Sequence, residues 1–205
     1  ADDFIVPLFI IEGKQKIKMG NKPFFVQAKN GEINVTAYNQ NFSEDINSGK
    51  RIITGAQVLR YCITNNPSQG GVIYLDENSN PKITNTMTNI VSQRRIVMQR
   101  ITGVDSKFRL IMVLADSGMY CANSTNYILN NFKYTLEYVL AVLNSKFVNY
   151  YFKMTSTNTN VTTSEINSIP LPSPENNIEI KITEMVSKIL KLKQFDPLKN
   201  TEDIE

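Results

Sequence analysis

Short apolar runs broken by glycine and proline fill the first third of the chain, and apolar positions at helical spacing fill the last. Residues 4–30 alternate such runs with Gly13, Gly20 and Pro23, and Gly31 follows, a pattern of strands joined by turns. Phe24-Phe25-Val26 is one candidate strand. Val72-Ile73-Tyr74-Leu75, introduced by Gly70-Gly71, is another. Residues 37–50 and 76–81 are polar and turn-rich and read as loops. Thr54 precedes residues 56–61, a candidate short helix with that threonine as its cap. Residues 95–101 and 108–115 are β-rich runs joined by 102–107, a hairpin whose loop is longer than the tight types. After Arg109 the second run is apolar on both faces, as a central strand buried on both sides would be. Residues 119–129 supply a further strand.

The period then changes. Leu136, Val139, Leu140, Leu143, Phe147 and Tyr151 recur at helical spacing, with Thr135 as N-cap and Glu137 in the first turn, which predicts one helix that ends in the Ser/Thr/Asn stretch beginning at Thr155. Asparagine disfavours a helix interior, so Asn144 beside Ser145 implies a specific hydrogen-bonding partner within the scaffold. Residues 155–164 read as a long exposed loop. Ser173-Pro174-Glu175 begins a second helix with Pro174 at its first position. Ile178, Ile182, Met185, Val186 and Ile189 give that helix an apolar stripe, with Lys181, Lys188 and Lys191 off it. The class is therefore α+β: a mixed, largely antiparallel sheet with a long core helix and a C-terminal Pro-bounded helix. Residues 1–172 are expected to form the main unit, and 173–205 a helix and tail packing on it or on a partner.

Composition narrows the chemistry. The 205 residues are 41% hydrophobic, enough for a core without disulfides or a structural metal. The apolar stretch 4–11 is too short for a membrane span and is interrupted by Pro7. It lacks the flanks of a signal peptide, so a cytoplasmic protein is expected. Cys62 and Cys121 fit no metal or redox spacing and read as reduced, buried thiols. Histidine is absent, which removes the commonest general base, the Ser-His and Cys-His nucleophile pairs and histidine metal sites. The acids are scattered, and Gly49-Lys50-Arg51 lacks the upstream glycine and following hydroxyl of a phosphate loop. Neither catalytic residue, metal site nor cofactor is expected in this chain.

Net charge is only +3, but its distribution is uneven. Between residues 94 and 109, five cations (Arg94, Arg95, Arg100, Lys107, Arg109) face one acid, Asp105. Arginine can grip phosphate or bond bidentately to guanine, and asparagine and glutamine can do the same for adenine. The candidate DNA-binding residues are accordingly Lys50, Arg51, Arg60, Arg94, Arg95, Gln99, Arg100, Lys107, Arg109, Asn158 and Asn160, with Gln93 also available. Each has a plain alternative: a strand arginine can pair with a neighbouring acid, and a loop asparagine can merely face water. Alternation puts Arg95 and Arg100 on opposite strand faces, and Gln99 on the face of Arg95.

Several stretches together resemble a known family. Glu12-Gly13 with Met19-Gly20-Asn21-Lys22-Pro23-Phe24-Phe25 is similar to its opening glycine motif. Residues 53–61, beginning Ile53-Thr54-Gly55, are similar to its G-x-D-I-x-x-Y element, although Gln57 stands where Asp is frequent. Residues 95–101 resemble its K-I-x-x-Q-x-I strand. Leu140-Ala141-Val142-Leu143-Asn144-Ser145 resembles its L-x-x-L-N-S helix, and Ile169-Pro170-Leu171-Pro172 its I-P-L-P lead into the terminal helix. In this order the segments resemble the TaqI-like C-terminal specificity domain of type IIG and related restriction-modification enzymes. More distantly, they resemble the target recognition domains of type I specificity subunits. The resemblance implies a module that recognises double-stranded DNA and positions the methyltransferase domain of the same parent chain. It further implies an adenine-specific parent, with or without endonuclease activity. No Asn/Asp-Pro-Pro-Tyr motif is present, so the methyl-transfer chemistry is expected elsewhere in that parent. A protein-interaction module that docks the catalytic part and touches DNA little remains the alternative, with a carboxylate-based hydrolase as a third reading.

Overall fold

The computed structural model describes residues 22–76, 85–201 and 204. The glycines of the opening motif, the apolar stretch 4–11 and most of the polar loop 76–81 lie outside the described residues. The fold is α+β, as the pattern of periods implies. Strands β1 (Ala28–Asn30), β2 (Phe42–Ser43), β3 (Lys50–Ile53), β4 (Val58–Leu59), β5 (Cys62–Ile63) and β6 (Ile73–Leu75) precede helix α1 (Asn85–Val91). Strands β7 (Arg95–Gln99), β8 (Met112–Ala115), β9 (Tyr120–Cys121) and β10 (Thr125–Leu129) follow. Helices α2 (Leu136–Asn144), α3 (Lys146–Thr155), α4 (Thr163–Asn167) and α5 (Asn176–Phe195) complete the chain.

The main sheet runs β1-β10-β7-β8, antiparallel throughout, with Met98 opposite Met112 and Ile96 opposite Ile128. A second sheet runs β2-β6-β3-β9, and its one parallel pair is β3 with β9. Strand alternation sorts the main sheet into two faces. Ile96, Met98, Met112, Leu114 and Ile128 join the helical core with Leu140, Leu143, Phe152 and Ile166. Val97, Val113, Ala115 and Tyr127 pack the other way with Ile53 and Cys121. β8 is thus buried on both faces, as its apolar run implies. Both cysteines are free and buried, and burial pushes the Cys121 thiol up to about 12.

Several boundaries differ from the sequence expectation, each for a local reason. The single helix expected between Thr135 and Thr155 breaks at Ser145, whose extended backbone (φ −58°, ψ 150°) ends α2 while its hydroxyl accepts from Val148 N and caps α3. Thr135 caps α2 as expected, accepting from Tyr138 N at 3.2 Å. Residues 56–61 are not a helix. A 3₁₀ turn, Gly55–Gln57, begins where the buried Gln57 side chain accepts from Thr54 N at 2.9 Å, and the chain then turns tightly from β4 to β5. Gly55 is required there, because a Cβ would lie 2.7 Å from the Ser124 carbonyl oxygen. The run 119–129 is two strands, separated by a turn closed by Thr125 N to Ala122 O at 2.9 Å. Pro174 precedes the N-cap, Glu175, rather than occupying the first helical position. Phe24 belongs to no strand beyond a two-bond bridge with Leu171, which joins the first described motif to the Ile-Pro-Leu-Pro segment.

Asn144 has the scaffold partner its place implied. Its carboxamide accepts from Met112 N at 3.0 Å and donates to Met112 O at 2.9 Å, as a neighbouring strand would. One turn on, Asn149 Oδ1 accepts from Arg109 N at 2.9 Å and Leu110 N at 2.7 Å. Both asparagines are buried. Replacing Asn144 with alanine leaves Met112 N without an acceptor and opens a hole in the core. Asn144→Ala is expected to cost about 2–4 kcal/mol in a urea unfolding titration; a cost near zero would show the carboxamide to be dispensable.

Candidate nucleic-acid interface

The structure distributes the sequence-nominated cations among very different surroundings. Arg95 lies on the Val97 face of β7, which looks into the layer between the two sheets, and is 1% exposed. Its guanidinium donates to Glu32 Oε1 at 2.6 Å and to Met119 O at 2.9 Å, and lies over the Tyr127 ring. Glu32 Oε1 also accepts from Cys121 N at 3.0 Å. Arg95 is therefore a core ion-pair residue and not a surface reader, a correction to the sequence expectation. Arg109, 0% exposed, is likewise closed to water and is not a surface reader. Arg94 is exposed but is held by Glu137 at 2.5 Å and Asp116 at 3.5 Å, at the opposite end of β7 from Arg100. Six residues of strand put those two about 20 Å apart.

Lys50 and Arg51 stand on β3 of the second sheet, where Arg51 donates to Thr64 O at 3.1 Å and burial pushes its guanidinium below the ordinary arginine value. Arg60, in the turn between β4 and β5, donates to Asn144 O at 2.5 Å and stacks 4.0 Å from the Phe108 ring centroid. Lys107 approaches the same ring at 5.4 Å, so Arg60 and Lys107 flank Phe108. Gln99 is half-buried and donates to Val58 O at 2.7 Å. Gln93 is exposed and caps the end of α1 through Asn89 O.

Two segments that look independent in sequence are joined. Residues 100–111 connect β7 to β8, and residues 156–162 connect α3 to α4. Thr102 N donates to Thr159 O at 3.0 Å, Val161 N donates to Arg100 O at 2.7 Å, and Ile101 bridges Asn160. Asn126 Nδ2 donates to Val161 O at 2.7 Å and fixes the same stretch to β10. From beneath, Arg109 donates through Nε to Thr102 Oγ1 at 3.0 Å and through NH2 to the carbonyl of Asn158. The stretch 155–164 is therefore not a free loop: Ser156 and Val161 are buried and α4 begins at Thr163. Glu165 completes the capping box of α4 with Thr162. Burial alone would raise its carboxyl, but hydrogen bonds from the Thr162 amide and hydroxyl and the nearby Arg109 charge outweigh that and hold it below the ordinary value.

What remains outside is a ridge of two adjoining segments. Asn158, Asn160, Ile101, Val104 and Lys107 are exposed on it, and Arg100 is half-exposed with its guanidinium donating to Asn123 O at 3.0 Å. Asn158 and Asn160 thus present exposed side chains from a backbone that the fold holds in place. Thr102, Asn149 and Thr159 take part in this construction, and sequence reading missed them. Asn149 carried the one available signal, a second asparagine inside the amphipathic helical run.

Because Arg95 and Glu32 are both removed from water, loss of one partner strands the other. Arg95→Met is expected to destabilise the fold by about 3–5 kcal/mol, with part of that recovered on adding Glu32→Leu. Denaturant titration of the single and double variants checks this; additive losses would contradict a coupled pair.

The comparisons agree with this architecture. The family model for the TaqI-like C-terminal specificity domain matches residues 50–171, more than half of the chain. The chain is similar in fold to the type IIL restriction-modification enzyme MmeI, solved in complex with DNA, at TM-score 0.53 and 12% identity. That similarity covers 87% of this chain but 29% of MmeI, so the chain spans under a third of that relative's length. The HsdS subunit from Thermoanaerobacter tengcongensis is similar at TM-score 0.49 and 11% identity, over 87% of this chain and 39% of the subunit. No curated protein sequence matches the chain. With its glycine turn, hairpin, Asn-Ser helix and Ile-Pro-Leu-Pro segment in the order described, the chain belongs to the family of TaqI-like C-terminal specificity domains.

Proposed function

We propose that this chain is the DNA target-recognition module of a restriction-modification enzyme and that it reads its site through the ridge formed by residues 100–107 and 156–160. The observation that carries the reading is the pairing of these two segments, which leaves two asparagine carboxamides and a lysine facing outward from a fixed backbone. Phosphate contacts need exposed cations such as Lys107, and base reading needs planar donor-acceptor groups held in register. A carboxamide matches the N6/N7 edge of adenine. In this reading the chain performs no catalysis. Methyl transfer to adenine, with or without cleavage, belongs to another domain of the same parent chain. That domain is the module's second partner, and the exposed stripe Phe147, Tyr150, Tyr151 and Met154 on α3 favours contact with it.

Binding of labelled duplex by the full chain at two salt concentrations tests the reading. Affinity is expected to fall steeply with salt, and Lys107→Ala to flatten the slope of log K against log salt by about one unit on every sequence alike. Asn158→Ala and Asn160→Ala are each expected to cost about 1–3 kcal/mol on the preferred sequence and far less on a scrambled one. Binding that is absent at low salt, or indifferent to it, would contradict the proposal.

A further inference from the structure

Arg109 is the one nominated cation that touches both segments of the ridge while being closed to water. We infer that Arg109 is a positioning residue for target discrimination: its buried guanidinium sets the backbone of the Asn158–Asn160 segment against the β7–β8 connection and so fixes where the two exposed carboxamides point. The inference rests on the DNA reading above and assigns Arg109 a role without DNA contact.

The geometry argues for positioning over simple core filling. The guanidinium uses its fork in two directions, Nε to the Thr102 hydroxyl and NH2 to the Asn158 carbonyl. One donor therefore orders each of the two segments, and a planar fork fixes their relative placement as a flexible ammonium cannot. The arginine backbone is itself fixed, because Arg109 N donates to Asn149 and the side chain lies over the Phe152 ring on the same helix. Glu165, in the first turn of α4 just beyond the second segment, adds a nearby negative charge. The NH1 group finds no acceptor among the described residues. A buried cation that is only partly hydrogen-bonded contributes less to stability than a well-packed apolar arrangement of the same volume. What an apolar residue would not supply is the donor for Asn158 O, which would leave that carbonyl free to turn. Base reading tolerates little such movement, since contacts lose their value within about 0.5 Å of misplacement.

The test is selection of binding sequences from a randomised duplex pool, comparing the full chain with Arg109→Met and Arg109→Lys. Arg109→Met is expected to keep overall duplex affinity within about threefold while its enrichment of the preferred sequence falls by about tenfold or more. Arg109→Lys is expected to fall between the two. In the DNA-free protein, amide exchange should accelerate at residues 158–161 and stay unchanged in β7 and β10. An unchanged enriched sequence with a folded Arg109→Met would overturn the inference, as would a uniform loss of affinity on all sequences. If Arg109→Met does not fold, Thr102→Val removes only the hydroxyl that orients the fork and should show the same loss of enrichment. A wild-type chain that enriches no sequence would instead overturn the DNA reading. The positioning role would then be decided by the exchange measurement, with faster exchange at 158–161 supporting it and no change contradicting it.

Discussion

The two hydrogen bonds between the Asn144 carboxamide and the backbone of Met112 set the frame for everything else in this molecule. Among the described residues β8 is the edge of the main sheet, and no strand of that sheet pairs with its outer N–H and C=O groups. Buried edges must find other partners. Asn144 supplies them at Met112, Asn149 at Arg109 and Leu110, and Tyr61 N adds a further donor to Met112 O at 2.9 Å. Tyr61 holds a left-handed backbone (φ 61°) to do so, a costly choice for a bulky residue. The break at Ser145 then has a purpose: α2 and α3 take separate directions, and each turns one asparagine toward the strand. With the strand fixed at 109–112, the side chain of Arg109 is committed to the interior and the connection before it is committed to the surface.

That division separates scaffold from surface in a way that charge alone could not reveal. Arg95 and Arg109 are the same residue type as Arg100 and lie in the same basic stretch, yet both are core residues. The partner that holds Arg95, Glu32, is 63 residues upstream. The acceptors of Arg109 include a main-chain carbonyl 49 residues downstream. Local sequence carries no trace of either pairing. The features that were legible are those governed by neighbours in the chain: the hairpin of 95–101 with 108–115, the Thr135 cap, the two-sided burial of β8 and the α+β order. Features set by distant partners were not legible. The segment 155–164 has the composition of a free loop, but Arg100, Arg109 and Asn126 provide its hydrogen bonds. The helix break was half legible, because an asparagine next to a serine is a poor helix interior and a good cap.

Function follows from the contrast between the two regimes. Loops held by a rigid scaffold are the usual place for binding contacts. Here the scaffold is the asparagine-clamped sheet edge, and the outward residues of the two paired segments stand on it. Family membership gives that arrangement its context. The residues that match the family pattern, Gly55 and Asn144 among them, are the ones that build the frame. Asn158, Asn160 and Lys107 lie outside those motifs.

In the proposed reading DNA meets the molecule at the paired segments and not at the cations buried beneath them or at the second sheet. Titrating the isotope-labelled chain with duplex and following its amide resonances addresses this directly. Shifts are expected to concentrate at residues 100–107 and 156–160, with β3 and α5 unmoved. Shifts centred on Lys50 and Arg51, or spread along α5, with the paired segments silent, would contradict it.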